Sequence, residues 1–296
     1  MNGMHTRLIP FIPFLFVLLW STGFIGAKYG LPYIEPFNML FVRMLLTLVV
    51  FLLLIVWLKS KWPTIHQVKH QLVVGSLVHA AYLGGVFAAI KLDMPAGVTA
   101  IIVGLQPLLT ALIARFWLQQ KLSILQSVGL VLGLLGVTIV LSGGHDFAEL
   151  NWRPEALIAA IVALLGISVG TLYQKKYGVG VDLMTGSFFQ YLATALWMGL
   201  LSFSLETREV EWSFDLIMAL GWLVLGLSVS AILLLMYLIR EGESAKVASY
   251  FYLVPPVTVI EAWLLFDEEL SVISILGIGI VVLGVYLVLK PQRRIR

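Results

Sequence analysis

Lys28-Tyr29-Gly30 recurs as Lys176-Tyr177-Gly178, 148 positions later in a chain of 296 residues. The same offset carries Pro107 to Pro255, Leu122-Ser123 to Leu270-Ser271, Gly129 to Gly277, Gly136 to Gly284 and Leu141 to Leu289. A period of half the chain makes each half one structural unit. The solvent then decides how two such units can be arranged. Hydrophobic residues make up 60% of the chain and charged ones 12%, with a mean hydropathy of +0.99. Soluble domains carry about 25% charged residues, so this composition cannot cover a water-facing surface and the bilayer is the main partner. The net charge is only +3 and the basic residues form no patch, which argues against nucleic acid. The chain has no cysteine, which excludes disulfides, thiolate metal sites and cysteine nucleophiles, and neither a metal nor a cofactor is expected. Arg7 precedes roughly 20 largely apolar residues with no A-x-A cleavage pattern after them, which reads as a first span rather than a signal peptide.

Apolar runs of spanning length predict ten transmembrane segments, at 8–27, 37–58, 71–90, 96–118, 122–142, 155–174, 183–205, 214–239, 247–266 and 271–289. Backbone polar groups in lipid must be satisfied within the segment, and none of the ten alternates like a barrel strand. The expected fold class is therefore an all-α membrane protein, with a five-helix repeat over 8–142, a second over 155–289 and a basic tail over 290–296. With the N-terminus in the cytoplasm, the inside segments hold 13 of the 19 Lys and Arg residues and the outside links four: Lys28, Lys91, Arg153 and Arg208. That bias predicts a multi-pass protein of the cell membrane with both termini cytoplasmic. Five is odd, so the second repeat enters the membrane from the opposite face. The halves should then be related by a pseudo-two-fold axis in the membrane plane and enclose a central cavity, as alternating access requires.

Several motifs resemble the drug/metabolite transporter superfamily, specifically its EamA-type branch. They are Leu19-Trp20-Ser21-Thr22-Gly23-Phe24 in span 1, Pro36 followed by Arg43 in span 2, and Ala96-Gly97-Val98 through Gln106-Pro107 to Phe116-Trp117-Leu118 in span 4. In the second half the matching stretch is Ala245-Lys246-Val247-Ala248 through Leu253-Val254-Pro255 to Asp267-Glu268. Two features depart from the pattern. Gln120 stands where the acid kept as Glu268 is usual, and the spacing from Ala96 to Pro107 is one residue longer than from Ala245 to Pro255. The resemblance implies a secondary transporter, an exporter of amino acids or similar small metabolites across the inner membrane. The alternative is a flippase subunit for a lipid or lipid-linked substrate. No G-x-x-x-x-G-K-[ST] loop is present, so ATP is not the direct fuel. Protons, a counter-substrate or the substrate gradient itself are the candidate drivers. An intramembrane enzyme is disfavoured, because His-Glu-x-x-His is absent and the only Asp within the span bounds is Asp215, at the very start of span 8. Monomer and homodimer both fit.

Polar groups at membrane depth are costly and mark candidate sites. Pro107 lies near the middle of span 4, and Pro255-Pro256 near the middle of span 9. As helix-interior prolines they would free the carbonyls of Val103, Phe251 and Tyr252, at matching places in the two copies; simple packing kinks are the bland alternative. His79 sits mid-span with Tyr82 one turn on, as a cavity residue or a proton relay. Glu261 is the one carboxylate well inside a span, and Arg43 lies at a similar depth. The two could pair to fix helix register, form an outer gate or contact a charged substrate. Arg115, near a span end, snorkels. Trp20 and Thr22 correspond by offset to Ser168 and Gly170, with Tyr173 and Gln174 following in that span. Gln106 precedes Pro107, and Tyr250 and Tyr252 precede Pro255. Together these suit an aromatic pocket for a small metabolite. The resemblance puts spans 1, 3, 4, 6, 8 and 9 around the cavity and so favours Trp20, His79, Gln106 and Tyr252. Gly129, Gly133 and Gly136 in span 5, with Gly277 and Gly284 in span 10, predict close helix packing, within the monomer or in a dimer.

Overall fold

A computed structural model of the chain describes residues 11–92, 94, 99, 102–142, 153–266 and 271–290. Among these residues the order is α1 (Ile12–Gly30), α2 (Pro36–Leu58), α3 (Ile65–Lys91), α4 (Gln106–Trp117), α5 (Ile124–Ser142), α6 (Pro154–Tyr177), α7 (Leu183–Leu205), α8 (Phe214–Glu241), α9 and α10 (Val272–Leu289). The ninth, α9, has three parts: Ser244–Ser249, a 3-10 turn over Tyr250–Leu253, and Val254–Phe266. The described residues contain no strand, only an antiparallel bridge between Ile34 and Val210. Eight helices (α2, α3 and α5 to α10) are long and apolar enough to cross a membrane, while α1 has a shorter apolar stretch over Ile12–Gly23. The 12 described residues of α4 cover only part of the expected span 96–118. Several boundaries differ from the sequence expectation. The third helix starts at Ile65 rather than residue 71, the first runs on to Gly30, and the ninth starts at Ser244. Residues 8–10, the link 143–152, Asp267-Glu268 and the tail 291–296 lie outside the described residues.

The helix starts are written in the sequence. Pro36 and Pro154 occupy the first turns of α2 and α6, where a missing N–H costs nothing. Thr64 and Gln67 form a reciprocal capping box for α3, and Asp182, Ser213 and Ser271 cap α7, α8 and α10. One flank of α2 leaves Leu45, Leu46, Val49, Leu52, Leu53, Val56 and Trp57 exposed, the last by 77%. A face this apolar belongs in lipid. The chain is a multi-pass membrane protein.

The halves run in opposite directions. Along α5 and α10, Gly129 lies against Gly284 and Val288, Gly136 against Val281, and Val140 against Gly277, so one helix ascends as the other descends. Along α2 and α7, Phe37 meets Glu206, Phe41 meets Gly199, and Phe51 stacks on Tyr191. Parallel repeats would align equivalent helices in the same direction; these are antiparallel. The third helix of each repeat crosses into the other. The first repeat's α3 packs on α6 and α7, and the second repeat's α8 packs on α1 and α2. Each carries a wider π-helical turn, and the two turns begin 148 residues apart, at Gly75 and Leu223. Within them the Tyr82 N–H reaches back five residues to the Leu77 carbonyl, and the Ile232 N–H to that of Leu227. At the first turn Gly75 touches the Gln190 backbone, an approach that leaves no room for a Cβ.

Candidate functional site

The two broken elements, α4 and α9, pack against each other between the repeats. Their breaks differ from the expected mid-helix kinks. Pro107 is in the first turn of α4, just after a turn in which the Leu105 N–H donates to the Ile102 carbonyl at 3.1 Å. Pro255 and Pro256 lie in the first turn of Val254–Phe266, and the Phe251 carbonyl is taken by the Val254 N–H. Proline in a first turn removes no intrahelical bond. The discontinuity is therefore the tight turn before each proline, and the prolines start new helical segments.

A small space of about 10 Å³ lies between α4, α6, α8 and α9, lined in part by Gln106, Thr110, Thr171, Ser244 and Phe251. Thr110 and Ser244 are buried, and neither hydroxyl has a hydrogen-bond partner. The Thr171 hydroxyl donates to the Ile167 carbonyl at 2.9 Å. The space admits roughly one water, whereas a metabolite pocket needs about 300 Å³ or more. The open central cavity expected from the sequence is therefore closed at this place, because large rings fill the interior. Phe16, Trp20 and Phe251 pack together at centroid distances of 5.2–5.4 Å. His79 stacks on Tyr191 at 4.8 Å, and Tyr191 stacks on Phe51 at 5.7 Å.

His79 lies in the π turn of α3 and is almost fully buried. Its Nε2 is 3.3 Å from the Gln190 Oε1, and the Gln190 Nε2 donates to the Gln71 Oε1 at 2.7 Å. Gln174 and the Met236 sulfur lie at the edge of the same amide group, at 3.5 and 3.7 Å. Four helices thus contribute neutral polar groups to one buried network, with the Gln71 Nε2 left unpartnered. Sequence reading found His79 but not Gln190, Tyr191 or Gln71. Mid-span amides carry the same cost in lipid as a histidine, so the signal was present. Gln190 and Tyr191 lie on α7, outside the six spans the resemblance favours, whereas Gln71 stands at the very start of the expected span 71–90.

The other expected residues divide into groups. Tyr82 and Trp20 pack against the same apolar core. Gln106 lines the small cavity. Ser168 is fully buried in α6, and its hydroxyl has no partner. Thr22 turns outward, accepting from the Trp222 Nε1 at 2.9 Å. Tyr173 joins an aromatic cluster at the far end of α3 and α6, where its hydroxyl is 2.6 Å from the His70 Nδ1 and the His70 ring stacks on Tyr177. Tyr252 packs against Gly133 in the α5/α10 core rather than beside Trp20. Phe251 takes that place, because the 3-10 turn rotates successive side chains by about 120° instead of 100°. Arg43 and Glu261 form no ion pair. The Arg43 Nε donates to the Ser228 hydroxyl of α8 at 2.8 Å, and Glu261 accepts from the Ser21 hydroxyl of α1 at 2.7 Å.

At one end of the bundle the loops are fastened together. The Glu206 carboxylate accepts from the Phe37 and Asn38 N–H groups at 2.8 and 2.6 Å, capping α2 from the end of α7, with the Lys91 Nζ at 3.7 Å. Glu35 accepts from the Thr207 hydroxyl and the Arg208 N–H, both at 2.8 Å. Slight desolvation raises its pKa, but these hydrogen bonds and the Lys91 charge outweigh that and hold the carboxyl below its usual range. The Ile34–Val210 bridge and a bond from the Glu211 N–H to the Tyr33 carbonyl complete the strap.

Known proteins resemble this chain along nearly its whole length. A protein of Escherichia coli K12 named "Uncharacterized inner membrane transporter YedA" is 28% identical over 95% of this chain and 91% of its own length. The Bacillus subtilis "Uncharacterized transporter YvbV" is 26% identical over 96% and 92%. A solved crystal structure superposes with a TM-score of 0.79 over 94% of this chain and 95% of its own, at 18% identity, a likeness of fold alone. The model of the EamA-like transporter family matches twice, at residues 8–142 and 155–290, and the chain belongs to that family.

Proposed function

We propose that this membrane transporter is a secondary exporter of amino acids or similar small metabolites across the inner membrane. On this reading all ten helices cross the bilayer with both termini in the cytoplasm, and the inverted repeats rock about α4 and α9 to expose one site to each side in turn. One observation carries the reading. Antiparallel repeats meet along two helices broken just before matching prolines, beside a space lined by unpartnered buried hydroxyls. Broken helices at corresponding places in inverted repeats are how carriers build midplane sites. His79, Trp20, Tyr82, Gln106 and Ser168 are the proposed substrate-facing set, and Thr22, Tyr173 and Tyr252 are supporting positions. Arg43 and Glu261 are proposed as separate charged positions rather than a gate pair. The strap over 31–35 and 206–211 serves as the outer latch. The relatives' names give no support to the lipid-flippase alternative.

The test is uptake by proteoliposomes of a panel of amino acids and small metabolites, with and without a pH gradient. Saturable movement of at least one solute is expected, and acceleration by the gradient would identify protons as the driver. Failure of every solute to move faster than through protein-free vesicles would overturn the proposal.

A further inference from the structure

Among the described residues, no anion balances the cation that Arg43 holds in the interior. The residue is only 9% exposed. Among the described residues it has no carboxylate within ion-pair distance, since the ion pairs are Lys91–Glu206, Arg240–Glu241 and Lys246–Glu243. Its Nε is fixed by the Ser228 hydroxyl at 2.8 Å. The terminal nitrogens of the guanidinium bond to no described residue. The polar groups nearby are neutral and largely engaged with one another: Tyr191 lies stacked on His79, and Gln190 bridges His79 and Gln71. An unpaired buried guanidinium is strongly destabilising, and removing the charge would be the cheaper sequence solution unless something anionic arrives. Nε anchored and both terminal nitrogens free is the geometry that presents a planar two-pronged donor to a carboxylate.

We infer that Arg43 is the anchor for the carboxylate of the transported solute, held in aim by Ser228. This rests on the proposed transport function and adds a substrate class to it: small organic acids, amino acids among them, with their amides and amines excluded. The anchor lies where α2, α7, α8 and the π turn of α3 converge, so a carboxylate bound there would neutralise the charge and bridge both repeats at once.

The test compares proteoliposome uptake of amino acids and short monocarboxylates with that of each compound's amide and decarboxylated amine, using wild type, Arg43→Lys and Arg43→Gln. Wild type is expected to transport the acid with a kcat/KM at least about 30-fold above that of its amide. Arg43→Gln should raise the KM for the acid by a similar factor and erase the acid-to-amide preference, while Arg43→Lys keeps part of it. The wild-type ratio needs no variant, so a misfolded variant does not spoil the test. If amides and amines move as fast as acids, the assignment of Arg43 fails and the transport reading stands. It fails equally if Arg43→Gln lowers the melting temperature but leaves the preference intact, which is what a purely structural arginine would do. If no compound of any class moves through wild type, the transport reading fails first and this one with it.

Discussion

Replacing Gly136 by valine strikes the seam on which the inverted arrangement closes. A Cβ at Gly136 would lie 2.6 Å from the Val281 nitrogen and 3.0 Å from the Gly277 carbonyl oxygen. Both are backbone atoms of α10, which no rotamer change can move aside, so the two helices must separate. Overpacking of this kind costs about 1–3 kcal/mol, which corresponds to a fall in melting temperature of roughly 2–10 °C. The symmetry-related Gly284→Val should behave alike, because its Cβ would meet the Gly133 nitrogen at 2.6 Å and the Gly129 carbonyl oxygen at 2.7 Å. Gly279 supplies the control on the same helix, since nothing lies within 4 Å of a Cβ there. The assay is thermal unfolding of the purified full-length protein in one detergent, read by loss of monodispersity. Equal melting temperatures for Gly136→Val and wild type, or an equal loss in Gly279→Val, would refute the packing of α5 on α10.

Glu206→Ala removes the side-chain cap of α2 and should cost about 1–2 kcal/mol, with Glu206→Gln less harmful; matching stabilities for the alanine variant and wild type would contradict the cap. Glu35 is held below its ordinary value of 4.5, so its bonds to Thr207 and Arg208 are fully present above that pH and fade as pH falls through the lowered value. The protection factor of the Arg208 amide should therefore drop only in acid, and a drop between pH 6 and 8 would show the sign to be wrong. His79→Leu leaves Gln190 short of a partner and should cost about 1–3 kcal/mol; in proteoliposomes, undiminished gradient-driven transport by His79→Ala would remove that side chain from the mechanism.

Much of the architecture could be read from the chain. The 148-residue offset paired the seam glycines and the prolines from the sequence alone, because equivalent helices in a duplicated bundle face equivalent constraints, and the π turns at Gly75 and Leu223 obey the same offset in the structure. The side chains that meet inside were less legible. Local helix type sets side-chain direction, and an apolar run does not announce a 3-10 or π turn. The 3-10 turn at Tyr250–Leu253 put Phe251, not Tyr252, against Trp20. Similar depth suggested pairing Arg43 with Glu261, but depth along a span says nothing of azimuth, and the two side chains settled on serines of different helices. Glu206 lies one residue past the expected span 183–205, and its capping role depends on α2 arriving beside it, which is tertiary information.

The absence of cysteine makes the decisive measurement clean. Ile34 and Val210 form an antiparallel bridge between the repeats at the strapped end, and residues so paired are about 4.5–5.5 Å apart at Cα, within disulfide reach. In proteoliposomes, the Ile34→Cys/Val210→Cys double variant should transport when reduced, stop when oxidised and recover on reduction, while each single variant ignores the oxidant. Unchanged transport by fully cross-linked protein would show that this end does not open during the cycle and would contradict alternating access through the two inverted repeats.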